Sequence, residues 1–211
     1  MDGLHALSLP RDAGEGREGE VGTQGRIGPN AVTRLAEALG PALADAVFRA
    51  AGLAHRLRDP PGRMVPELEV TALHRALRAM LGEEGAVAAS AEAGRLTARY
   101  LLANRIPGLL QRLLCLLPAG IAARILVGAI GRHAWTFAGS GRFRALPGRP
   151  LRLEIAGGPI ACAAPATHPV CAYYAATFET LFAALVSPRT QVAEVTCETT
   201  GAPACVFELR W

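Results

Sequence analysis

The sequence contains no lysine, and its 22 basic residues are all arginines. Together with 18 acidic residues they give a formal net charge of +4, which is spread along the 211 residues. Nucleic-acid-binding proteins usually concentrate their basic charge on one face, so we expect no nucleic-acid partner. Arginine does suit carboxylate and phosphate groups, because its guanidinium can form two parallel hydrogen bonds with them.

Aromatic residues are also scarce, at 5% of the chain, whereas hydrophobic residues reach 51% and charged residues only 19%. This composition excludes a disordered protein for most of the length, and the chain is long enough to bury a core without disulfide bonds. Residues 1–25 differ, because they are rich in Gly, Glu and Arg and show no apolar period. We interpret them as a flexible tail ahead of a single domain at 26–211.

A basic segment followed by a long apolar one is absent from the N-terminal residues, which argues against a signal peptide. A reducing cytoplasm is therefore the expected compartment. The most apolar stretch, 106–130, contains Arg112, Arg124 and Pro118. Two charges and a central proline disfavour a membrane span and favour two helices that pack in a core, beside a pocket or against a membrane surface.

The hydrophobic period changes near His133. Between residues 30 and 132 apolar residues recur at helical spacing, with a break at Gly40-Pro41. After residue 133 short alternating or aromatic segments favour strands, and a helix at 169–186 separates them. The predicted strands are 134–138, 151–155, 192–198 and 205–210. This order predicts an α+β fold, with a helical N-terminal half followed by a small antiparallel sheet packed with a helix.

Three of the five cysteines lie in segments that can meet. Cys197 and Cys205 are eight residues apart across the last predicted hairpin, and Cys171 lies at the start of the preceding helix, where the helix dipole favours a thiolate. Three thiolates could supply most of a tetrahedral zinc site, with His168 or Glu198 as the fourth ligand. Three buried cysteines in an alanine-rich core are the alternative. No CxxC pair is present, which excludes the usual iron–sulfur and zinc-ribbon spacings.

Residues 169–211 resemble the C-terminal half of the 4-vinyl reductase domain. In that family a Cys opens the last helix, and a Glu-x-x-Cys-like strand, a Gly turn and a Cys-x-Phe strand follow. The corresponding residues here are Cys171, Glu194-Val195-Thr196-Cys197, Gly201 and Cys205-Val206-Phe207. Three upstream segments, 25–30 (GRIGPN), 104–107 (NRIP) and 133–141 (HAWTFAGSG), resemble the branch of this family found in bacteriochlorophyll biosynthesis.

The resemblance covers about residues 25–211 and implies a fold shared with haem-binding nitric-oxide sensor domains and vesicle-tethering subunits. It further implies a homodimer, a chlorophyll-type pigment intermediate as ligand, other bacteriochlorophyll-synthesis enzymes as partners and peripheral contact with the photosynthetic membrane. Sensor relatives bind zinc through cysteines at similar spacing, with an acidic residue beside the first of them. Here that neighbour is Ala172, a departure from the pattern.

Residues near the aromatic segment 134–138 are the candidates for binding a pigment. The imidazole of His133 could ligate the magnesium of a tetrapyrrole or bond a ring carbonyl. On a strand, Trp135 and Phe137 would share one face and form an apolar wall for a flat macrocycle. Tyr100 and Arg105 complete the predicted ligand site, the arginine as partner of a carboxylate. Alternatively, the two aromatic residues belong to the core and the histidine to the surface.

The resemblance favours a tetrapyrrole-binding accessory or carrier protein that supports 8-vinyl reduction of a divinyl protochlorophyllide-type intermediate. The 8-vinyl reductase itself and a dimeric interaction scaffold are the alternatives. Reduction of a vinyl group requires a source of electrons or hydride. The sequence contains no dinucleotide fingerprint in a strand–turn–helix context and no iron–sulfur cysteine set, so we assign no catalytic residue.

Overall fold

Helices precede an antiparallel sheet in the computed structural model, which describes residues 25–211. The predicted α+β fold is therefore confirmed. Apart from Gly25, the predicted flexible tail at 1–25 lies outside the described residues. The helices are α1 (Asn30–Ala50), α2 (His55–Arg58), α3 (Glu67–Asn104), α4 (Gly108–Leu116), α5 (Ala119–Arg132), α6 (Trp135–Ala138) and α7 (Ala172–Leu185).

Two glycines divide the long helices α1 and α3. Gly40 and Gly82 both have a φ of 69°, in the left-handed region that glycine adopts without a steric penalty. Pro41 follows the first break, where its fixed φ suits the opening turn of a new helical segment. Both breaks lie where the sequence pattern interrupts the helical period, so local backbone preference determines them.

The strands form two sheets. They are β1 (Arg26–Ile27), β2 (Val65–Pro66), β3 (Arg142–Leu146), β4 (Leu151–Ala156), β5 (Gln191–Thr196) and β6 (Cys205–Arg210). β1 pairs with β2, and the other four strands form an antiparallel sheet in the order β3-β4-β6-β5. The last three predicted strands are confirmed within one or two residues, whereas β3 was not predicted.

The predicted strand at 134–138 is wrong, because these residues include the short helix α6. Local hydrogen bonds close this turn: the backbone N–H of Ala138 donates to Ala134 O at 2.8 Å, and the hydroxyl of Thr136 donates to His133 O at 2.7 Å. Gly139 then ends it with a φ of 63°. Aromatic composition favours strands mainly through burial against neighbours, and a helical turn can provide the same burial.

Helix α7 lies at the centre of the molecule, between α3 on one side and the sheet on the other. Its aromatic side chains meet the sheet, where the ring of Phe178 lies 5.6 Å from that of Phe207 in β6. On the other side, the hydroxyls of Tyr173 and Thr97 are 2.9 Å apart. Buried side chains from Ile27 to Leu209 form one hydrophobic cluster. Helix α7 is thus held between two packed layers.

Helix α3 buries a histidine whose charge state matters for stability. His74 is 5% exposed, and burial, reinforced by the positive charge of Arg78, lowers its pKa to about 3. In an unfolded chain the imidazole has a pKa of about 6.5. Below about pH 6.5 protons therefore bind to the unfolded chain in preference to the folded one. The stability that depends on neutral His74 is complete above that pH and is lost as the pH falls toward the folded-state pKa of about 3.

We expect the stability of the wild type, relative to that of a His74→Gln variant, to fall by about 2 kcal/mol between about pH 7 and about pH 5. Urea unfolding of both proteins at the two pH values measures this difference. Other titrating groups are common to both proteins and cancel. A difference between the two proteins that does not vary with pH would mean that the folded protein accommodates a charged imidazole.

Candidate metal centre and ligand groove

Three cysteines from separate elements meet at the start of α7. Cys171 is the N-cap residue of α7, Cys197 follows β5 and Cys205 opens β6. Their Sγ atoms lie 3.5–3.7 Å from one another, and all three residues are fully buried. The predicted convergence of these three thiols is therefore present. The other two cysteines, Cys115 and Cys162, are exposed.

A carboxylate completes the cluster. The Oε2 atom of Glu194 in β5 accepts a hydrogen bond of 2.8 Å from the backbone N–H of Cys171. The other oxygen, Oε1, is buried and has no hydrogen-bond partner among the described residues. Four donor atoms lie within 4.8 Å of one another, one each from Cys171, Glu194, Cys197 and Cys205. The cluster therefore offers three sulfurs and one oxygen.

The fourth residue differs from the two candidates that we took from the sequence. His168 Nδ1 instead lies 2.9 Å from Glu83, and Glu198 accepts hydrogen bonds of 2.9 and 3.0 Å from the backbone N–H of Gly157. The signal that could have identified Glu194 is its spacing of three residues from Cys197. Residues three apart point to opposite faces of a regular strand. A register shift between Glu194 and Thr196 adds a residue and turns both side chains to the same side.

The four groups share their protons unequally. Hydrogen bonds from Cys171 and Cys205, with a further one from the Thr199 hydroxyl at 3.0 Å, hold the pKa of Cys197 well below its usual range. Hydrogen bonding to Cys197 and burial raise the pKa of Cys171 well above its usual range, and burial raises the pKa of Glu194 to about 8. The protein alone therefore keeps one negative charge in the cluster, and a divalent cation would displace the remaining protons.

The cluster fits a zinc ion. A tetrahedral ion with Zn–S bonds of about 2.3 Å places its sulfur ligands about 3.8 Å apart, close to the separations of 3.5–3.7 Å between the thiols. The unpaired oxygen of Glu194 supplies the fourth donor. Thiolates suit zinc, whereas calcium and magnesium prefer sites made of oxygen atoms. Four protein ligands leave no open position, which is typical of a structural rather than a catalytic ion.

A second feature is a groove of about 1000 Å³ between α5 and the sheet. Its walls are mainly Gly, Ala, Val, Leu and Pro, and its polar groups are the guanidiniums of Arg124, Arg149 and Arg210. Arg210 pairs with Glu208 at 2.8 Å, whereas the other two make no ion pair within residues 25–211. The indole of Trp211, 42% exposed, also lines the groove. The groove thus combines apolar surface, one aromatic ring and uncompensated positive charge.

None of the five predicted ligand residues lines this groove. His133 is exposed at the end of α5, with Nδ1 2.9 Å from Ala129 O, and Trp135 is 56% exposed. Phe137 belongs to the aromatic core, where its ring contacts that of Phe143 at a centroid distance of 5.6 Å. Because α6 is a helix, Trp135 and Phe137 do not form the shared strand face that we expected.

The remaining two predicted ligand residues lie near the end of α3. The guanidinium of Arg34 lies over the ring of Tyr100, 4.8 Å from its centroid. Arg105 is exposed and follows the last turn of α3, where its backbone N–H donates to Leu101 O at 2.9 Å. No helix within residues 25–211 is both long and apolar enough to cross a lipid bilayer.

Comparison with solved structures finds the crystal structure of the phenol-responsive sensory domain of the transcription activator PoxR with phenol. The TM-score is 0.43 at 15% sequence identity, and the match covers 81% of this chain and 90% of that one.

Comparison with known sequences identifies the family. Residues 151–211, which contain the whole thiol cluster, match the model of the 4-vinyl reductase domain. The bacteriochlorophyll synthase 23 kDa chain of Cereibacter sphaeroides is 48% identical over 188 residues, covering 87% of this chain and 90% of the relative. The protein of the same name from Rhodobacter capsulatus is 43% identical over 190 residues, covering 87% and 86%. The chain therefore belongs to the family of the bacteriochlorophyll synthase 23 kDa chains, with a 4-vinyl reductase domain at 151–211.

Proposed function

We propose that this chain is a tetrapyrrole-binding accessory or carrier protein of bacteriochlorophyll biosynthesis, and that the groove between α5 and the sheet holds the pigment precursor. Family membership connects the chain with that pathway. The observation that carries the proposal is the groove itself, which sets the unpaired guanidiniums of Arg124 and Arg149 beside a largely apolar surface. The substrate that we propose is a divinyl protochlorophyllide-type intermediate on which the 8-vinyl group is reduced.

The groove matches the chemistry of such an intermediate. Before esterification, a chlorophyll precursor is a flat apolar macrocycle that carries a free carboxylate. A volume of about 1000 Å³ is at the upper end of the range for small-molecule sites. Gly120, Ala123 and Gly128 leave the groove side of α5 without bulky side chains, so a flat ring can approach the helix. Trp211 can stack against the macrocycle, and an arginine can bind the carboxylate with two hydrogen bonds.

A binding role fits this lining better than catalysis. Among the described residues that line the groove there is no Cys, His, Tyr, Asp or Glu. Protonation of a reduced vinyl group requires a positioned acid, and these are the side chains that usually serve. The lining can hold and shield a pigment, which supports delivery to a separate reductase rather than reduction by this chain.

We also propose that Cys171, Glu194, Cys197 and Cys205 bind a structural zinc ion. These residues come from the start of α7, from β5 and its end, and from β6, so one ion would join the helix to the sheet. The ion would supply charge compensation for the thiolates and a fixed link between the two layers. It has no substrate-facing position in this scheme, because the protein provides all four ligands.

Absorbance titration of the purified protein with divinyl protochlorophyllide tests the pigment proposal. We expect Arg124→Gln and Arg149→Gln each to weaken binding at least about tenfold, because each removes a charge-assisted contact with the carboxylate. Arg142→Gln is the matched control, since Arg142 is an exposed arginine of β3 outside the groove. With the methyl ester of the pigment, the wild type and the groove variants should bind alike, because the ester carries no charge.

Other outcomes of the titration would change the assignment. Weaker binding by His133→Ala and Trp135→Ala, with unchanged binding by the arginine variants, would place the pigment at the residues that we took from the sequence. If the wild type does not bind, the carrier function is excluded and a scaffold role is left. Loss of the divinyl absorption band on addition of NADPH to the pure complex would identify the chain as the reductase.

A further inference from the structure

Acidic residues are missing from a long central part of the chain. Between Glu92 and Glu154 the sequence contains ten arginines and no Asp or Glu. This segment includes the end of α3, the helices α4 and α5, and strand β3. The overall charge of +4 therefore hides a strongly positive middle section, flanked by segments in which acidic residues outnumber basic ones.

The same segment exposes large apolar side chains. On α4, Leu109 and Leu116 are 82% and 84% exposed, and Leu113, which lies between them on the same stripe of the helix, is 52% exposed. On α5, Ile121 and Ile125 are 50% and 42% exposed. We call these five residues the leucine face. Only Leu114 of α4 is buried, so this helix directs most of its apolar surface to solvent.

Exposed arginines surround the leucine face. They are Arg105, Arg112, Arg124 and Arg132. Within residues 25–211 none of these four forms an ion pair with a carboxylate. An apolar stripe beside unpaired basic groups is the pattern of a helix that lies in the interface of a membrane, with its apolar side among the acyl chains.

We propose that the leucine face docks this protein on the surface of an anionic lipid bilayer. The leucines and isoleucines would enter the boundary between headgroups and acyl chains, and the arginines would bind lipid phosphates. The mode is peripheral, because no described helix can span the bilayer. Docking does not depend on the pigment groove, which none of the five residues of the leucine face lines.

Charge decides between the candidate occupants of this face. In a symmetric dimer the same patch faces itself, so unpaired arginines would oppose arginines without a carboxylate between them. A nucleic acid would satisfy the arginines but would leave the exposed leucines in water. An anionic bilayer accommodates both groups at once, with phosphates for the guanidiniums and hydrocarbon for the apolar side chains.

Co-sedimentation with vesicles tests the proposal. We expect the wild type to bind vesicles of phosphatidylcholine mixed with phosphatidylglycerol, and to bind vesicles of phosphatidylcholine alone at least about tenfold more weakly, because arginines near an anionic surface add to the affinity. The double variant Leu109→Glu/Leu116→Glu should lose at least about tenfold in affinity for the anionic vesicles through the lost apolar contacts. Leu68→Glu is the matched control, since Leu68 is a 57% exposed leucine of α3 outside the face.

Three measurements can overturn the proposal. Equal binding to both kinds of vesicle, or none to either, would exclude an anionic membrane as the partner. Unchanged binding by the double variant, with an unchanged thermal transition, would exclude the leucine face as the contact. Light scattering that shows a wild-type dimer and a monomeric double variant would mean that a second copy of the chain covers the face.

Discussion

Replacing Cys197 with serine is expected to abolish zinc binding and to lower the stability of the protein strongly. The ion would be held by groups that the fold brings together, so its binding energy becomes folding energy. With free zinc about a thousandfold above the dissociation constant, that contribution is about 4 kcal/mol. We expect a chelator to destabilise the wild type by a similar amount and to leave Cys197→Ser unchanged.

Elemental analysis and thermal unfolding with and without chelator measure these two effects. Cys162→Ser is the control, because Cys162 is an exposed cysteine outside the cluster. Glu194→Gln is a finer test, since glutamine still accepts the hydrogen bond from Cys171 N–H but is a weak metal ligand. A wild type that contains no zinc and does not respond to the chelator would leave three packed thiols in a core, the alternative that the sequence allowed.

A second large effect is expected where α3 crosses α7. Gly94 lies at this crossing, and a methyl group there would overlap the carbonyl oxygen of Tyr173 and come within 3.1 Å of the Thr177 hydroxyl oxygen. The obstacle is backbone, so the two helices would have to separate and would strain the hydrogen bond of 3.1 Å from Thr177 Oγ1 to Gly94 O. We expect Gly94→Ala to lower the free energy of unfolding by roughly 3 kcal/mol.

Gly128→Ala is the matched control for this substitution. Gly128 lies within α5, and no atom lies within 4 Å of the position that a methyl group would take. Alanine should therefore stabilise α5 by up to about 1 kcal/mol through its higher helix propensity. Denaturant unfolding of both variants measures the contrast. Equal stabilities of the two variants would mean that α3 and α7 are not as closely packed as the structure shows.

The sequence by itself determined those features that depend on neighbouring residues. Apolar spacing located the helices between residues 30 and 132 and the helix that became α7, because one face of each must be buried. Alternating residues located β4, β5 and β6 for the corresponding reason. The cysteine convergence also followed, since a hairpin and the helix before it place Cys171, Cys197 and Cys205 at one end of the domain.

Only the tertiary structure decided the features that join distant segments. Glu194 belongs to the cluster because a register shift against β6 turns it toward Cys197, and no local pattern specifies that shift. The residues 134–138 became a helical turn because burial of Phe137 against Phe143 satisfies its aromatic side chain without a strand partner. The groove exists because α5 faces the ends of β4 and β6. Its arginines, 124, 149 and 210, are far apart in sequence, and only the packing of these elements places them around one surface.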